Sequence, residues 1–233
     1  MVEADSDHGP VIVWPGGRAD VLYERFKKCI IDREWPPGQP LNINRLAAEY
    51  GVSITPVREA LARLSSDKLV VASPNRGYTV APPPTAARMT ELFTLRLLLE
   101  PHVARGAAVR LTPQDLDGLR ALNERLAEHT TGEDYERTQN YAEVNRVFHR
   151  QLFRINGNEV LSEVYDALNY HVLIGHILNS YGVTDLPEVV AEHAAILDAL
   201  AAHDPDAAEA AMYTHIEGGS IRLRATYRAL APR

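Results

Sequence analysis

The order of apolar and polar positions predicts two parts with different architectures. Through Val80 the chain alternates short helical and strand-like segments, whereas after Pro84 every periodic segment repeats its apolar residues at helical spacing. No strand pattern occurs in the second part. We therefore predict a mainly α protein, in which a small α+β domain precedes an all-α antiparallel helical bundle.

The first part predicts three helices and a two-stranded wing. A first helix is expected over residues 18–35, before the run "PPG". A second, short helix starts after Asn42, which can cap it, and stops at Gly51. A third starts after Ser53, with Pro56 in its first turn, where the missing N–H costs little. The segment "KLVVASPNRGYTVA" then predicts two short strands around a turn, which completes a winged helix-turn-helix.

A run of three prolines separates the two parts. Pro82–Pro84 cannot continue a strand or enter a helix interior, so we predict a proline-rich linker over residues 82–86. Before it we expect a flexible tail over residues 1–17 and the winged domain over 18–81. The bundle is predicted over residues 87–230. Its helices are expected to start near Thr85, Thr112, Asp134, Gly157, Asp185 and Asp204.

A winged helix-turn-helix predicts a protein that binds double-stranded DNA. Its third helix is the recognition helix, whose N-terminal turn enters the major groove. Ser53, Thr55 and Arg58 lie on the predicted exposed side of this helix, and Arg76 with Gly77 forms the tip of the wing. The alternative for Arg58 is an ion pair with a nearby glutamate on the helix surface.

The charge is distributed unevenly between the two parts. The whole chain has a formal net charge of -7, but through Pro83 ten basic residues balance ten acidic ones. The remainder contains 14 basic and 21 acidic residues. DNA contact needs a local basic face rather than a basic total. An acidic second domain is repelled by phosphate, so we expect it to have a different function.

Composition favours a cytoplasmic protein without a membrane partner. The start, "MVEADSDHGP", lacks the apolar segment of a signal peptide, and no apolar run approaches the length of a membrane span. The single cysteine, Cys29, excludes an internal disulfide framework and fits a reducing compartment. We expect Cys29 to be a small buried residue on the first helix.

Three histidines of the second part lie on or beside the apolar stripes of separate helices. His193 and His215 lie within such stripes, while Asn145 and His149 are neighbours along the edge of a third. A single histidine on an apolar face is usually a hydrogen-bonded core residue. Three on different helices, beside an amide oxygen, are typical of metal sites in bundles, and neutral imidazoles suit zinc, nickel or similar ions.

The segment "LAAEYGVSITPVREALARLSSDKLVVASPNRGYTV" resembles the GntR family of bacterial transcription regulators, and the likeness spans roughly Asp20 to Val80. This resemblance implies a repressor or an activator that binds a palindromic operator as a homodimer, and a repressor is the role we expect. The family's DNA contacts carry over to Arg45, as a contact to phosphate, and to Ser53, Thr55, Arg58, Arg76 and Gly77.

One position departs from that family's usual pattern. The family usually has arginine where this chain has Ile54. Isoleucine cannot make the bidentate contact between arginine and guanine, which discriminates by about 1–3 kcal/mol, although it can touch a thymine methyl. We therefore expect an operator that differs from the family's usual one.

The segments "NRVFH" and "EHAAILDAL", with a histidine 22 residues after His193, resemble the FCD domain, the helical effector module of one GntR branch. The resemblance covers about Thr85 to Tyr227. It implies a divalent metal ion held by Asn145, His149, His193 and His215. The first of these ligands is commonly aspartate. Asparagine brings no negative charge, so we expect weaker binding of hard ions such as manganese and take zinc as the ion.

Arg96 lies within the otherwise apolar stretch "LFTLRLLLE". By resemblance to the FCD domain, an arginine at this place faces the pocket and meets a carboxylate effector through a bidentate contact. The alternatives are an i, i+4 ion pair with Glu100 or a polar edge at the dimer surface. His171, His176 and Tyr170 are weaker candidates, which packing or solvent also explains.

The combined features predict a transcription regulator that senses a small organic acid through a metal-containing helical pocket. Two alternatives remain open. The first is a helical metalloenzyme with an open three-histidine site, although the chain lacks the HExxH motif and leaves the wing unexplained. The second is a metal-free regulator that senses a larger, acyl-type ligand.

Overall fold

The structure is a computed structural model that describes residues 17–73, 77–128, 135–168 and 186–230. The chain forms two compact units, Met1–Pro82 and Pro83–Arg233, and the division falls at the predicted proline-rich linker. The predicted N-terminal tail lies outside the described residues, except for Gly17.

The first unit contains three helices, α1 (Arg18–Ile31), α2 (Ile43–Glu49) and α3 (Ile54–Ser66). Helix α1 packs on α3 through buried apolar side chains such as Phe26 and Leu61. It ends earlier than predicted because Arg33 adopts a φ of 60°, which a right-handed helix does not allow. Cys29 is buried as predicted, and burial raises the pKa of its thiol to about 11.

The starts of α2 and α3 lie at the predicted capping residues. The Asn42 side chain accepts a hydrogen bond from the backbone N–H of Arg45 at 3.0 Å, as expected of an N-cap. Ser53 occupies the N-cap position of α3, but its side chain makes no capping hydrogen bond. Because the Ser53 side chain does not bind its own helix, it is compatible with a role in contacting another molecule.

The wing contains a third strand that the sequence pattern did not predict. The antiparallel strands β1 (Pro40–Leu41), β2 (Val70–Ser73) and β3 (Gly77–Val80) are arranged in the order β1–β3–β2. The predicted pair β2 and β3 is present, and Leu41 of β1 lies opposite Tyr78 of β3. A strand of two residues is too short for alternation of apolar and polar residues to reveal it.

The described residues of the second unit form a bundle of helices. They are α4 (Ala86–Arg110), α5 (Pro113–Glu128), α6 (Tyr135–Asn156), α7 (Glu159–Ala167), α8 (Leu186–Ala201) and α9 (Pro205–Leu230). Each helix starts within two residues of its predicted start. The predicted fold class, a winged helix-turn-helix followed by a helical bundle, is confirmed. None of the helices that the structure describes is long and apolar enough to cross a membrane.

Helix α4 is central to the second unit, because it packs on α9 and α6 and also contacts α8. Its apolar side, which includes Phe93 and Ala107, joins the core with Phe148 of α6 and Ile216 of α9. Two ionisable side chains of α4, Arg96 and Glu100, are nevertheless almost completely buried. Buried charges require partners, and these are found on α6 and within α4 itself.

Candidate functional site

The outward face of α3 presents polar side chains at its N-terminal end. Ser53, Thr55 and Arg58 are exposed, while Val57 and Leu61 are buried on the opposite side of the helix. Among the described residues Arg58 forms no ion pair, so the alternative of a pair with a nearby glutamate is not observed. Helix α3 is the second helix of the helix-turn-helix, the position of a recognition helix.

The other predicted DNA contacts lie on α2 and at the wing. Arg45 is exposed on α2. Gly77 is exposed at the start of β3, and its φ of 80° is in the left-handed region that favours glycine. Arg76 lies outside the described residues. The structure brings Arg45 and Gly77 into the same unit as α3, and their contact with DNA stays a prediction.

In the second unit three predicted metal ligands lie together in the core. His149 on α6, His193 on α8 and His215 on α9 are 1%, 0% and 5% exposed. Their ligand atoms lie within 4.8 Å of one another, and Nε2 of His149 is 3.2 Å from Nε2 of His215. Two nitrogens that bind one tetrahedral zinc ion at about 2.0–2.1 Å are about 3.3 Å apart. The three histidines can therefore form a metal site.

Two of these histidines are held by buried or half-buried carboxylates. Nδ1 of His149 lies 2.6 Å from Oε2 of Glu100, and Nδ1 of His215 lies 2.7 Å from Oε2 of Glu192. An ionised carboxylate only accepts hydrogen bonds, so His215 donates from Nδ1 to Glu192 and keeps its lone pair on Nε2. The carboxylate of Glu100 beside Nδ1 of His149 favours the same tautomer there. A carboxylate on the second nitrogen is the usual environment of a histidine that binds metal.

An arginine in turn pairs with each carboxylate. Arg96 forms a bidentate pair with Glu100, in which Nη2 is 3.1 Å from Oε2. Arg222 on α9 donates to both oxygens of Glu192 at 2.6 and 2.8 Å. The result is two Arg–Glu–His chains, Arg96–Glu100–His149 and Arg222–Glu192–His215, which end at the same cluster.

The charges of these chains keep both carboxylates ionised. Burial alone raises the pKa of Glu100, but Arg96 and His149 outweigh this effect and hold its pKa well below the ordinary value. Burial likewise opposes ionisation of Glu192, whose hydrogen bonds with His215 and Arg222 lower its pKa to about 2. Ionised carboxylates fix the orientation of both imidazole rings at neutral pH.

Gly218 on α9 lies directly beside the second Arg–Glu–His chain. A Cβ atom at this position would lie 2.9 Å from Oε1 of Glu192 and 3.1 Å from Nη1 of Arg222. Both atoms are the ends of flexible side chains, so a larger residue at this position would require the Glu192–Arg222 pair to shift. Gly218 therefore gives room for a close approach of these side chains, and its φ lies outside the left-handed region.

His193 differs from the other two histidines because its nitrogens have no hydrogen-bond partner among the described residues. Its ring stacks on Phe148, with centroids 4.0 Å apart and an interplanar angle of 8°. Burial lowers its pKa well below the ordinary value, and the neighbouring His215 and His149 lower it further. The ring is therefore neutral at pH 7, which is the form that binds metal.

Asn145, the fourth predicted ligand, lies one turn before His149 on α6. Its side-chain Oδ1 is buried and has no hydrogen-bond partner among the described residues. A buried acceptor or donor without a partner costs about 1–3 kcal/mol. This oxygen is therefore a buried acceptor that is left open, like the nitrogens of His193, and its role as a metal ligand stays a prediction.

Burial also keeps the other two histidines in the form that binds metal. It lowers the pKa of His149 and brings that of His215 to about 4, although the contacts with Glu100 and Glu192 act in the opposite direction. All three rings are thus neutral at pH 7, and none has to lose a proton before an ion binds.

Arg96 is 3% exposed and pairs with Glu100, which is one of the alternatives left open by the sequence. Its positive charge also lowers the pKa of all three histidines, so it acts on the cluster directly. A contact with an effector stays a prediction. His171, His176 and Tyr170 lie outside the described residues.

Comparison with known proteins identifies both units. The model of the FCD domain matches residues 91–218, and the model named "Bacterial regulatory proteins, gntR family" matches residues 18–80. The first match covers more than half of the chain.

The chain belongs to the GntR family and carries an FCD domain. It is 32% identical to the transcriptional regulator McbR of Escherichia coli K12 over 172 residues, covering 73% of this chain and 76% of McbR. It is 29% identical to the galactonate operon transcriptional repressor of the same organism, covering 89% of this chain and 97% of that protein.

A solved structure supports the same assignment. The structure of E. coli McbR/YncC is similar with a TM-score of 0.70 and 26% identity, and the match covers 92% of this chain and 99% of that one. The matched family and these GntR relatives are transcription regulators. The interpretation of the histidine cluster as the site of a metalloenzyme is therefore wrong, and the protein is a DNA-binding transcription regulator.

Proposed function

We propose that the protein is a cytoplasmic repressor that binds a palindromic operator as a homodimer and responds to a small carboxylate at a metal ion. The observation that carries the metal is His193, whose two buried nitrogens have no hydrogen-bond partner among the described residues. A purely structural histidine in a core is normally hydrogen-bonded.

Zinc is the proposed ion, held by His149, His193 and His215 with the amide oxygen of Asn145. Neutral imidazoles favour zinc, and nickel has a similar preference for nitrogen. The bound ion supplies a Lewis-acidic centre for an oxygen of the effector. Glu100 and Glu192 orient the rings of two ligands.

A small carboxylate effector fits the chemistry of this cluster. Arg96 places a buried positive charge beside the histidine cluster, so a bound anion would be attracted both by Arg96 and by the ion. Because Arg96 already binds Glu100, an effector carboxylate has to share or displace that contact. Glu100 lies on α4, the first helix after the linker. An effector that displaces the contact between Arg96 and Glu100 would therefore act on this helix.

The proposed operator contacts come from the first unit of each protomer. Arg58, Ser53 and Thr55 contact the major groove or its phosphates, Arg45 contacts phosphate, and the segment Arg76–Gly77 contacts the duplex at the wing. The exposure of α3 and the open Arg58 side chain support this assignment. A dimer presents two such units to a palindrome.

Replacing Glu192 with glutamine tests the role of the carboxylate in the metal site. We expect zinc affinity to fall by about 10–100-fold, because the hydrogen bond that Nδ1 of His215 donates to residue 192 loses its charged acceptor. Competition with a chromogenic chelator measures the affinity. Glu217→Gln, an exposed change on α9, is the matched control and should bind zinc as the parent does. Unchanged affinity in Glu192→Gln would contradict the proposed role.

The effector is tested with a panel of hydroxy, keto and dicarboxylic acids on zinc-loaded protein. We expect at least one acid to raise the melting temperature and to change operator affinity by about 5–150-fold, the usual range of coupling. Arg96→Ala and His193→Ala should lose this response and still bind operator, whereas the exposed His102→Ala should keep it.

Two results would contradict this proposal. One is an active acid to which both Arg96→Ala and His193→Ala respond fully. The other is metal-free protein that releases its operator on addition of a long-chain acyl thioester, which would favour the metal-free regulator.

A further inference from the structure

Ile54 is the first residue of α3 and exposes 42% of its surface. The other exposed large apolar side chain described in the first unit, Val71, lies on a strand. Single exposed apolar residues are common, so exposure by itself has no meaning. The significance of Ile54 comes from its place on the helix.

The N-terminal residues of a recognition helix are the ones that reach base edges in the major groove. Ile54 lies one turn before Arg58, so the two side chains are neighbours, with Cβ atoms about 5–6 Å apart. Both are exposed, whereas Val57, between them in sequence, is buried. Ile54 and Arg58 therefore present one apolar and one cationic group side by side.

The chemistry of the groove restricts what Ile54 can contact. Its side chain has no hydrogen-bond donor or acceptor, and the C5-methyl group of thymine is the apolar group on the major-groove edge of the base pairs. If isoleucine packed on any other base edge or on a phosphate, it would displace water from a polar group without replacing the lost hydrogen bond, which is unfavourable.

We propose that Ile54 recognises a thymine through its C5-methyl group and so sets the operator specificity of this protein. The inference rests on DNA binding by the GntR domain and is independent of the metal site. It assigns sequence specificity to an apolar contact, next to a polar or charged contact made by Arg58.

The test starts from the full-length protein and a library of duplex DNA with a randomised core. Selection gives a consensus, and each thymine in it is then replaced by deoxyuridine, which removes only the methyl group. We expect one thymine in each half-site whose replacement weakens binding about fourfold, the equivalent of about 0.8 kcal/mol for one buried methyl-sized group.

Substitutions at Ile54 link that thymine to the side chain. In Ile54→Ala the ratio of affinities for the thymine and deoxyuridine duplexes should fall to about one at this position. Ile54→Arg should select guanine there, because arginine binds the O6 and N7 atoms of guanine. Ile221→Ala removes an isoleucine of α9 that is even more exposed than Ile54, and it should keep the parent's ratio and consensus.

The inference is overturned if no thymine is sensitive to loss of its methyl group, or if the sensitivity is the same in Ile54→Ala. A library that yields no consensus at all would instead contradict sequence-specific DNA binding, on which the inference rests.

Discussion

Replacing His193 with leucine is expected to abolish stabilisation by zinc without destabilising the metal-free protein. The parent buries two ring nitrogens that have no hydrogen-bond partner among the described residues, and each such group costs about 1–3 kcal/mol. Leucine removes this cost. It also removes the stacking on Phe148, which is worth about 0.5–1.5 kcal/mol, so the metal-free variant should be as stable as the parent or more stable.

Thermal or urea unfolding with and without zinc measures both effects. At a free zinc concentration of about 100 times the dissociation constant, the parent should gain about 2.7 kcal/mol of stability and His193→Leu should gain none. His102→Leu, an exposed change on α4, should keep the full gain. A gain in His193→Leu as large as that of the parent would show that this histidine is not a ligand.

Replacing Arg58 with alanine is expected to weaken operator binding by about 1–3 kcal/mol, and the loss should be largest for the selected consensus. The reason is that Arg58 is exposed on the proposed DNA-facing side of α3 and forms no ion pair among the described residues. Replacing Arg58 should therefore change the stability of the DNA-free protein little. Gel-shift titration at a fixed salt concentration measures the effect.

Arg125→Ala is the charge-matched control, since it removes an exposed arginine from α5 in the second unit. It should bind operator nearly as well as the parent. Operator affinity of Arg58→Ala equal to that of this control would show that the assignment of the DNA-facing side of α3 is wrong.

The sequence predicted the helices well because their signals are local. Apolar periodicity and residues such as Thr85, Thr112 and Asn42 at helix starts depend on neighbours within a few positions. The strand Pro40–Leu41 was missed because its pairing partner, β3, is far away in the sequence and two residues carry no alternation. The early end of α1 was missed because no glycine marks the reversal at Arg33.

The histidine cluster was predictable for a related reason, since each histidine lies in a helical stripe that must face the core. Of the two Arg–Glu–His chains that orient these histidines, the sequence could predict only one. The pair Arg96–Glu100 is local, at i, i+4, and was left open as an alternative. Glu192 and Arg222 are 30 residues apart on different helices, and only the packing of α8 against α9 brings them together.

The most direct test of the proposed metal-dependent regulator is the location of the ion. Crystals of the full-length protein, grown with one equivalent of zinc, are measured on both sides of the zinc absorption edge. We expect one anomalous peak in the second unit, about 2.0–2.1 Å from Nε2 of His149, from Nε2 of His215 and from a ring nitrogen of His193. Density that shows these three histidines in the same arrangement, with no anomalous peak between them, would contradict a metal site in this regulator.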